Sequence, residues 1–269
     1  MSALEASITV ATSPLGHPLK VSLANGLLLI MQGASGCGKS AVLRNIIEDL
    51  CRVMGPLVQF VVVDPKQVSF LGFDARVHVF GNSGDWLRLT DSLLNEMRRR
   101  YAYMAKNRVR ELEPTEERPF VVLVCDELSA VTADQTMLKK ERDRLVSNLV
   151  QYSNQCRQAS MGFMLSGQVI SSETIPTVVR SNASTRIAMA VRGESLVNMI
   201  SSDRPDECPC DLLTLPGEMY LLVPDGSNRW RRGRADWRDP QEQEARMARM
   251  AGDKRLPAFL DWESPEFKG

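Results

Sequence analysis

Short apolar runs alternate along the chain with longer stretches whose apolar residues recur every three or four positions. The runs have strand length and the recurring stretches have helical period. That alternation predicts an α/β fold with a mostly parallel central sheet flanked by helices. The first strand is LLLIMQ at 27–32, and a glycine-rich loop follows it directly. The next stretch puts Val42, Leu43, Ile46, Ile47, Leu50 and Met54 on one helical face, and Gly55-Pro56 ends it. VQFVVV at 58–63 is the second strand and runs into Asp64-Pro65-Lys66; VHVF at 77–80 is a short third.

A long helix is expected from about Asp85 or Trp86, with Leu89, Leu93, Met97, Tyr101 and Met104 as its apolar stripe. Arg98, Arg99, Arg100, Lys106, Arg108 and Arg110 are assigned to its polar face. After the loop ELEPTEERP comes the strand FVVLVC at 120–125. A helix over 138–156 turns Leu145, Leu149 and Tyr152 inward. Strands are expected at 161–168, 185–191 and 217–223, the last of these being the final major one. An amphipathic helix and a polar end close the chain. The expected boundaries are a lead-in at 1–26, the main domain at 27–238, and a C-terminal helix and tail at 239–269.

Composition changes this picture little. The chain has 269 residues, with 33 Lys+Arg against 33 Asp+Glu, so bulk charge gives no argument for a polyanionic partner. A local basic face is not excluded by that balance. The six cysteines show no paired metal spacing, and reduced thiols are expected. The N-terminus lacks the pattern of a secretory leader, and no apolar run approaches the roughly 18 residues of a membrane span. A cytoplasmic protein is expected, with any membrane attachment supplied by a partner.

The glycine-rich loop is GASGCGKS: Gly33, Ala34, Ser35, Gly36, Cys37, Gly38, Lys39, Ser40, with Ala41 next. It fits G-x-x-x-x-G-K-[ST] between a strand and a helix, the setting in which backbone N–H groups cradle phosphates. Lys39 is expected on the β- and γ-phosphates of ATP, and Ser40 on Mg²⁺. Asp126 and Glu127 follow a buried strand. Asp126 is expected in the Mg²⁺ shell, and Glu127 as the base for the attacking water. Gln168 ends another strand, where it reads either as a γ-phosphate or water contact or as a capping polar residue. Cys37 reads either as a tolerated position turned from the ligand or as an oxidation-sensitive thiol in an electropositive loop. Two basic clusters interleaved with aromatics, RRRYAYMAKNRVR and NRWRRGR, suit contacts to an anionic polymer. The second carries Arg229, Arg231, Arg232 and Arg234 and is expected as a protruding loop. Either cluster also reads as a solvated face.

The order P-loop, VVVDPKQVSF, NEMRRRY, VVLVCDELSAV, MLSGQ, STRIAMAV and PGEMYLLVP resembles the FtsK/SpoIIIE motor domain of the HerA–FtsK superfamily. The resemblance runs from about Leu27 to about Asp236. It implies a RecA-like P-loop ATPase, assembled as a homo-hexameric ring that drives double-stranded DNA through its pore. It also implies that Arg186 reaches a neighbouring subunit's γ-phosphate, although the residue reads equally as a structural partner. The region 224–234 falls where the family has a pore loop. The chromosome-segregating members' membrane region and winged-helix module have no counterpart in the sequence, so a stand-alone form linked to conjugation, integrative elements or phage is expected. Two further readings stand beside this one: a type VII secretion-like motor acting on protein, and a nucleotide-binding regulatory scaffold.

Overall fold

The structure is a computed structural model and describes residues 6–24, 26–73, 77–81, 83–132, 137–172, 174–201 and 205–250. A ten-stranded sheet organises it, with β1 (Ser7–Thr12), β2 (Pro18–Ser22), β3 (Leu28–Gln32), β4 (Val58–Val63), β5 (Val77–Phe80), β6 (Phe120–Cys125), β7 (Met161–Gly167), β8 (Thr185–Met189), β9 (Glu218–Leu222) and β10 (Arg231–Arg234). The helices are α1 (Lys39–Met54), α2 (Ser83–Asn107), α3 (Leu128–Thr132), α4 (Lys139–Gln155), α5 (Thr177–Asn182), α6 (Glu194–Ser201) and α7 (Pro240–Met250).

The strand order is β2-β1-β10-β9-β8-β3-β7-β6-β4-β5. From β8 to β5 every pairing is parallel; from β8 to β2 every pairing is antiparallel. The sheet is therefore mixed, with its parallel half carrying the expected α/β core. The central strands read as continuous apolar runs because both faces are covered. Leu29, Met31, Phe60, Val62, Val122 and Val124 face α1, whereas Leu28, Ile30, Val61, Val63, Val121 and Leu123 face α2 and α4. Strand alternation divides one run between two cores.

Three expectations change. The lead-in at 1–26 contains a β-ribbon: β1 and β2 pair antiparallel, and Thr12 of β1 pairs with Arg234 of β10. Ile8, Val10, Leu19, Val21 and Leu23 are buried in the α1 core, so the ribbon belongs to the main body. β10 itself was expected as a loop. Its sequence, RRGR, has no apolar alternation to reveal it, and Gly233 is what lets the ribbon pack there. A Cβ at Gly233 would lie 2.7 Å from Leu19 Cδ1. Finally, Arg100 is not on a solvated face; it is 2% exposed. The helix carrying it begins at Ser83, slightly before the expected start. The polar end expected after α7 lies outside the described residues.

Candidate active site

Parallel strands end at one edge of a sheet, so the loops after β3, β7, β6 and β4 all emerge together. The loop after β3 is hung from its neighbours by backbone bonds. Gly33 N donates to Gly167 O at 3.2 Å, Ala34 N to Ala190 O at 2.7 Å, and Gly217 N to Cys37 O at 2.9 Å. Gly33 is required by close approach: a Cβ there would stand 2.6 Å from Cys37 Sγ and 2.8 Å from Met189 Cβ. Gly38 has φ 103° and caps α1 with no side-chain hydrogen bond. No acidic residue lies in the first turn of α1. The N–H groups and the positive end of the helix dipole are thus left for an anion.

Lys39 is buried, and its Nζ donates to Gly33 O at 2.6 Å and Ala34 O at 3.1 Å. Ser40 Oγ donates to both carboxylate oxygens of Asp126, at 2.8 and 3.1 Å. Asp126 and Glu127 are both buried. Glu127 Oε1 accepts from the Ser129 hydroxyl and from Gln168 N at 3.3 Å, which fixes its direction. Ser166 Oγ donates to Asp126 O at 2.6 Å and anchors the strand end beneath the acids. Ser35, Gly36, Gly38, Lys39, Ser40, Ala41, Lys66, Asp126, Glu127 and Gln168 together line a cleft of about 190 Å³. A hydroxyl paired with a carboxylate beside two lysines is a donor set that suits a hard divalent cation and a polyphosphate. A larger cleft of about 940 Å³ adjoins it, sharing Gly38 and Ala41 and walled by the 215–218 and 232–237 segments.

Lys39, Ser40, Asp126, Glu127 and Gln168, each expected from the sequence, line this one cleft, and Lys66, which sequence reasoning left out, lines it with them. The signal was present in Asp64-Pro65-Lys66 at the end of the second strand. Cys37 is buried, and burial pushes its thiol pKa up against the pull of Lys39. That direction is opposite to the one expected of a reactive thiol in an electropositive loop. Its sulfur instead packs on Gly33, where a small side chain is needed.

The structure puts Arg186 outside this cleft. Its Nη1 donates to Ile200 O at 3.2 Å and its Nη2 to Arg180 O at 3.3 Å, both within its own chain. The arginines of NRWRRGR do not form one protruding cluster. Arg229 is exposed in the β9–β10 connection, while Arg231, Arg232 and Arg234 lie in β10, where successive side chains alternate between faces. Arg231 pairs with Asp225, Arg232 with Glu218 at 2.8 Å, and Arg234 Nε donates to Pro216 O at 3.2 Å. Among the described residues no helix is long and apolar enough to cross a membrane.

Comparison with known proteins agrees with this layout. A family model described as the FtsK/SpoIIIE family matches residues 5–200. The DNA translocase FtsK 2 of Ralstonia nicotianae is 24% identical over 256 residues, covering 83% of this chain and 32% of that protein. The chain spans about a third or less of the length of the curated relatives it matches. Among solved structures, the pCW3 conjugation coupling protein TcpA is similar with a TM-score of 0.76 at 17% identity, over 92% of this chain and 71% of that one. The cytoplasmic domain of the Thermomonospora curvata type VII secretion ATPase EccC gives 0.74 at 21% identity, over 93% and 31%. At those identities the two structures speak to the fold alone. With the family model covering most of the chain, and with the loop, acids and strand order where such a domain needs them, the chain belongs to the FtsK/SpoIIIE family.

Proposed function

We propose that the chain hydrolyses ATP and uses the energy to move double-stranded DNA, acting as a ring of identical subunits. The observation that carries the ATPase half is the meeting of Lys39, Ser40, Asp126 and Glu127 in one cleft at the uncapped start of α1. The triphosphate lies on the N–H groups of residues 33–41, with the Lys39 ammonium exchanging carbonyl partners for phosphate oxygens. The nucleoside extends into the adjoining larger cleft past Gly38 and Ala41. Ser40 and Asp126 would hold Mg²⁺, which when bound neutralises phosphate charge. Glu127 takes a proton from the attacking water, and the Ser129 hydroxyl and Gln168 N–H keep it aimed. ADP and orthophosphate are the products.

The DNA half is supported by family membership and by relatives that are themselves DNA translocases. On this reading Arg229, Arg231, Arg232 and Arg234 supply phosphate contacts along the β9–β10 hairpin, exchanging Asp225 and Glu218 for the polymer. Arg186 donates to Ile200 O and Arg180 O, and a reach from it to a neighbouring subunit's γ-phosphate would be an addition to this reading. A membrane protein could recruit the ring, and nothing in the mechanism requires it.

The test is the ATPase rate with and without linear double-stranded DNA, at low and high salt. Hydrolysis stimulated by DNA, with the stimulation fading as salt rises, is expected. Lys39→Ala is expected to abolish hydrolysis. Robust hydrolysis indifferent to DNA would turn the reading toward a motor for protein substrates, and no hydrolysis at all toward a regulatory scaffold.

A further inference from the structure

We propose that Lys66 is a second catalytic cation of the phosphate cleft, acting on the terminal phosphoryl group from the side opposite Lys39. The proposal rests on the ATPase reading above.

Strand order carries the first part of the argument. The P-loop leaves β3, Gln168 leaves β7, the two acids leave β6, and Lys66 follows β4, in the spatial sequence β3-β7-β6-β4. A triphosphate seated on the P-loop must project its terminal phosphate across β7 and β6 for Glu127 to serve it. That phosphate then lies between Lys39 on one side and the end of β4 on the other. Lys66 lines this cleft with Lys39, Ser40, Asp126, Glu127 and Gln168.

The turn carrying Lys66 supplies the second part. β4 and β6 are joined to their ends, with Val63 opposite Cys125 and Asp126 N donating to Val63 O at 3.0 Å. Asp64 is 1% exposed, and it spends its carboxylate on the turn. One oxygen accepts from Lys66 N at 3.1 Å and the other from Ser69 N at 2.7 Å. Its carbonyl accepts from Gln67 N at 3.0 Å. A third acid at this edge thus holds backbone in place and leaves the chemistry to Glu127. The Lys66 side chain takes no part in holding the turn; it is exposed, and its ammonium has no hydrogen bond or ion pair among the described residues.

The charges are consistent with that role. Two carboxylates and two lysines line the cleft, so Lys66 adds a second positive side chain where a polyanion would enter. In the reaction a new bond forms between the water oxygen and the terminal phosphorus. The bond from that phosphorus to the bridging oxygen breaks, and its electron pair stays with ADP. The water's proton goes to Glu127. Lys66 moves no proton; it stabilises charge on the peripheral oxygens as the transition state spreads it.

The experiment compares Lys66→Ala, Lys66→Met and Lys66→Arg with the parent chain in kcat for ATP hydrolysis. It also compares their affinity for ADP, their affinity for ADP with aluminium fluoride, and their melting temperature. Removing the cation is expected to lower kcat about 100-fold and to weaken the aluminium fluoride complex by a similar factor. ADP affinity should change by less than about 3-fold, because ADP lacks the phosphate that Lys66 serves. The melting temperature should hold, and Lys66→Arg should recover most of the rate. Unchanged kcat in Lys66→Ala would overturn the proposal. So would equal losses for ADP and its fluoride complex with a lowered melting temperature, which would make Lys66 a structural residue. Lys39→Ala separates the two levels. If it is dead while Lys66→Ala is normal, only Lys66 is misassigned. If Lys39→Ala is fully active, the nucleotide-site reading itself fails.

Discussion

Arg100 shows how far a single side chain can depart from the pattern around it. It lies among arginines on a helix whose neighbours Arg98 and Arg99 are exposed. Its own guanidinium is buried, and each of its three nitrogens donates. Nε donates to Glu96 Oε1 at 2.8 Å, Nη1 to Ala159 O and Ser160 O at 2.9 Å each, and Nη2 to Pro119 O at 2.9 Å. Pro119 precedes β6 and Ser160 precedes β7, so one residue of α2 pins the starts of both strands. Truncation would take the guanidinium donor from Ala159 O and Pro119 O, leave Ser160 O only its bond from Val121 N, and leave Glu96 only Arg99 at 3.9 Å. Arg100→Ala is expected to cost about 3–5 kcal/mol in denaturant unfolding, whereas Arg98→Ala and Arg99→Ala stay within about 0.5 kcal/mol. A loss under about 1 kcal/mol at Arg100 would refute this assignment. The basic run was legible in the sequence, but the partition between solvent and carbonyls was not. The acceptors sit on loops 19 to 60 residues away.

At the scale of the element, α7 is bound to the helix that follows the P-loop. Asn45 Nδ2 donates to Asp236 O at 2.9 Å, and Gln243 Nε2 donates to Asn45 Oδ1 at 3.1 Å. Arg238 pairs with Glu48 and Asp49 at 2.7 Å each. Arg246 Nε reaches Glu48 Oε1 at 2.5 Å. Burial pushes the Glu48 carboxyl pKa up, but the hydrogen bonds from Arg246, Arg238 and Gln243 outweigh it and the net shift is downward. A carboxyl held below its ordinary value of 4.5 stabilises the fold above that pH. That contribution is lost as pH falls through the folded value. Glu48→Gln is therefore expected to be less stable than the parent at neutral pH, with the gap closing below about pH 4.5. Parallel stability–pH curves for the two proteins would exclude the linkage. The amphipathic pattern of α7 was legible in the sequence; its partner was not. The polar contacts fixing it join residues about 190 positions apart.

At the scale of the molecule, the ribbon closes the antiparallel half of the sheet. β1 meets the edge of β10 where Thr12 pairs with Arg234, and the ribbon buries Ile8, Val10, Leu19, Val21 and Leu23 against the α1 core. A chain beginning at Leu27 would open that edge and expose the apolar surface under it. It is expected to melt at least about 10 °C below the full chain and to aggregate on heating, as followed by circular dichroism and light scattering. Melting within about 2 °C of the full chain would show that the ribbon is dispensable.

The sequence alone determined the parts whose signals are local. Apolar runs flanked by helical periods gave the parallel strands, and the strand–glycine loop–helix order gave the phosphate cradle. Acids placed after a buried strand followed from the same pattern, since parallel strands deliver their loops to one edge. Only the tertiary structure decided β10, the ribbon's membership of the sheet and the burial of Arg100. The physical reason is the same in each case. Hydrophobic periodicity reports burial for apolar side chains, and these residues are polar, or belong to short strands whose partners lie far along the chain. A charged side chain becomes buried or catalytic through the groups that distant segments bring to it, and the folded sheet alone fixes which groups those are.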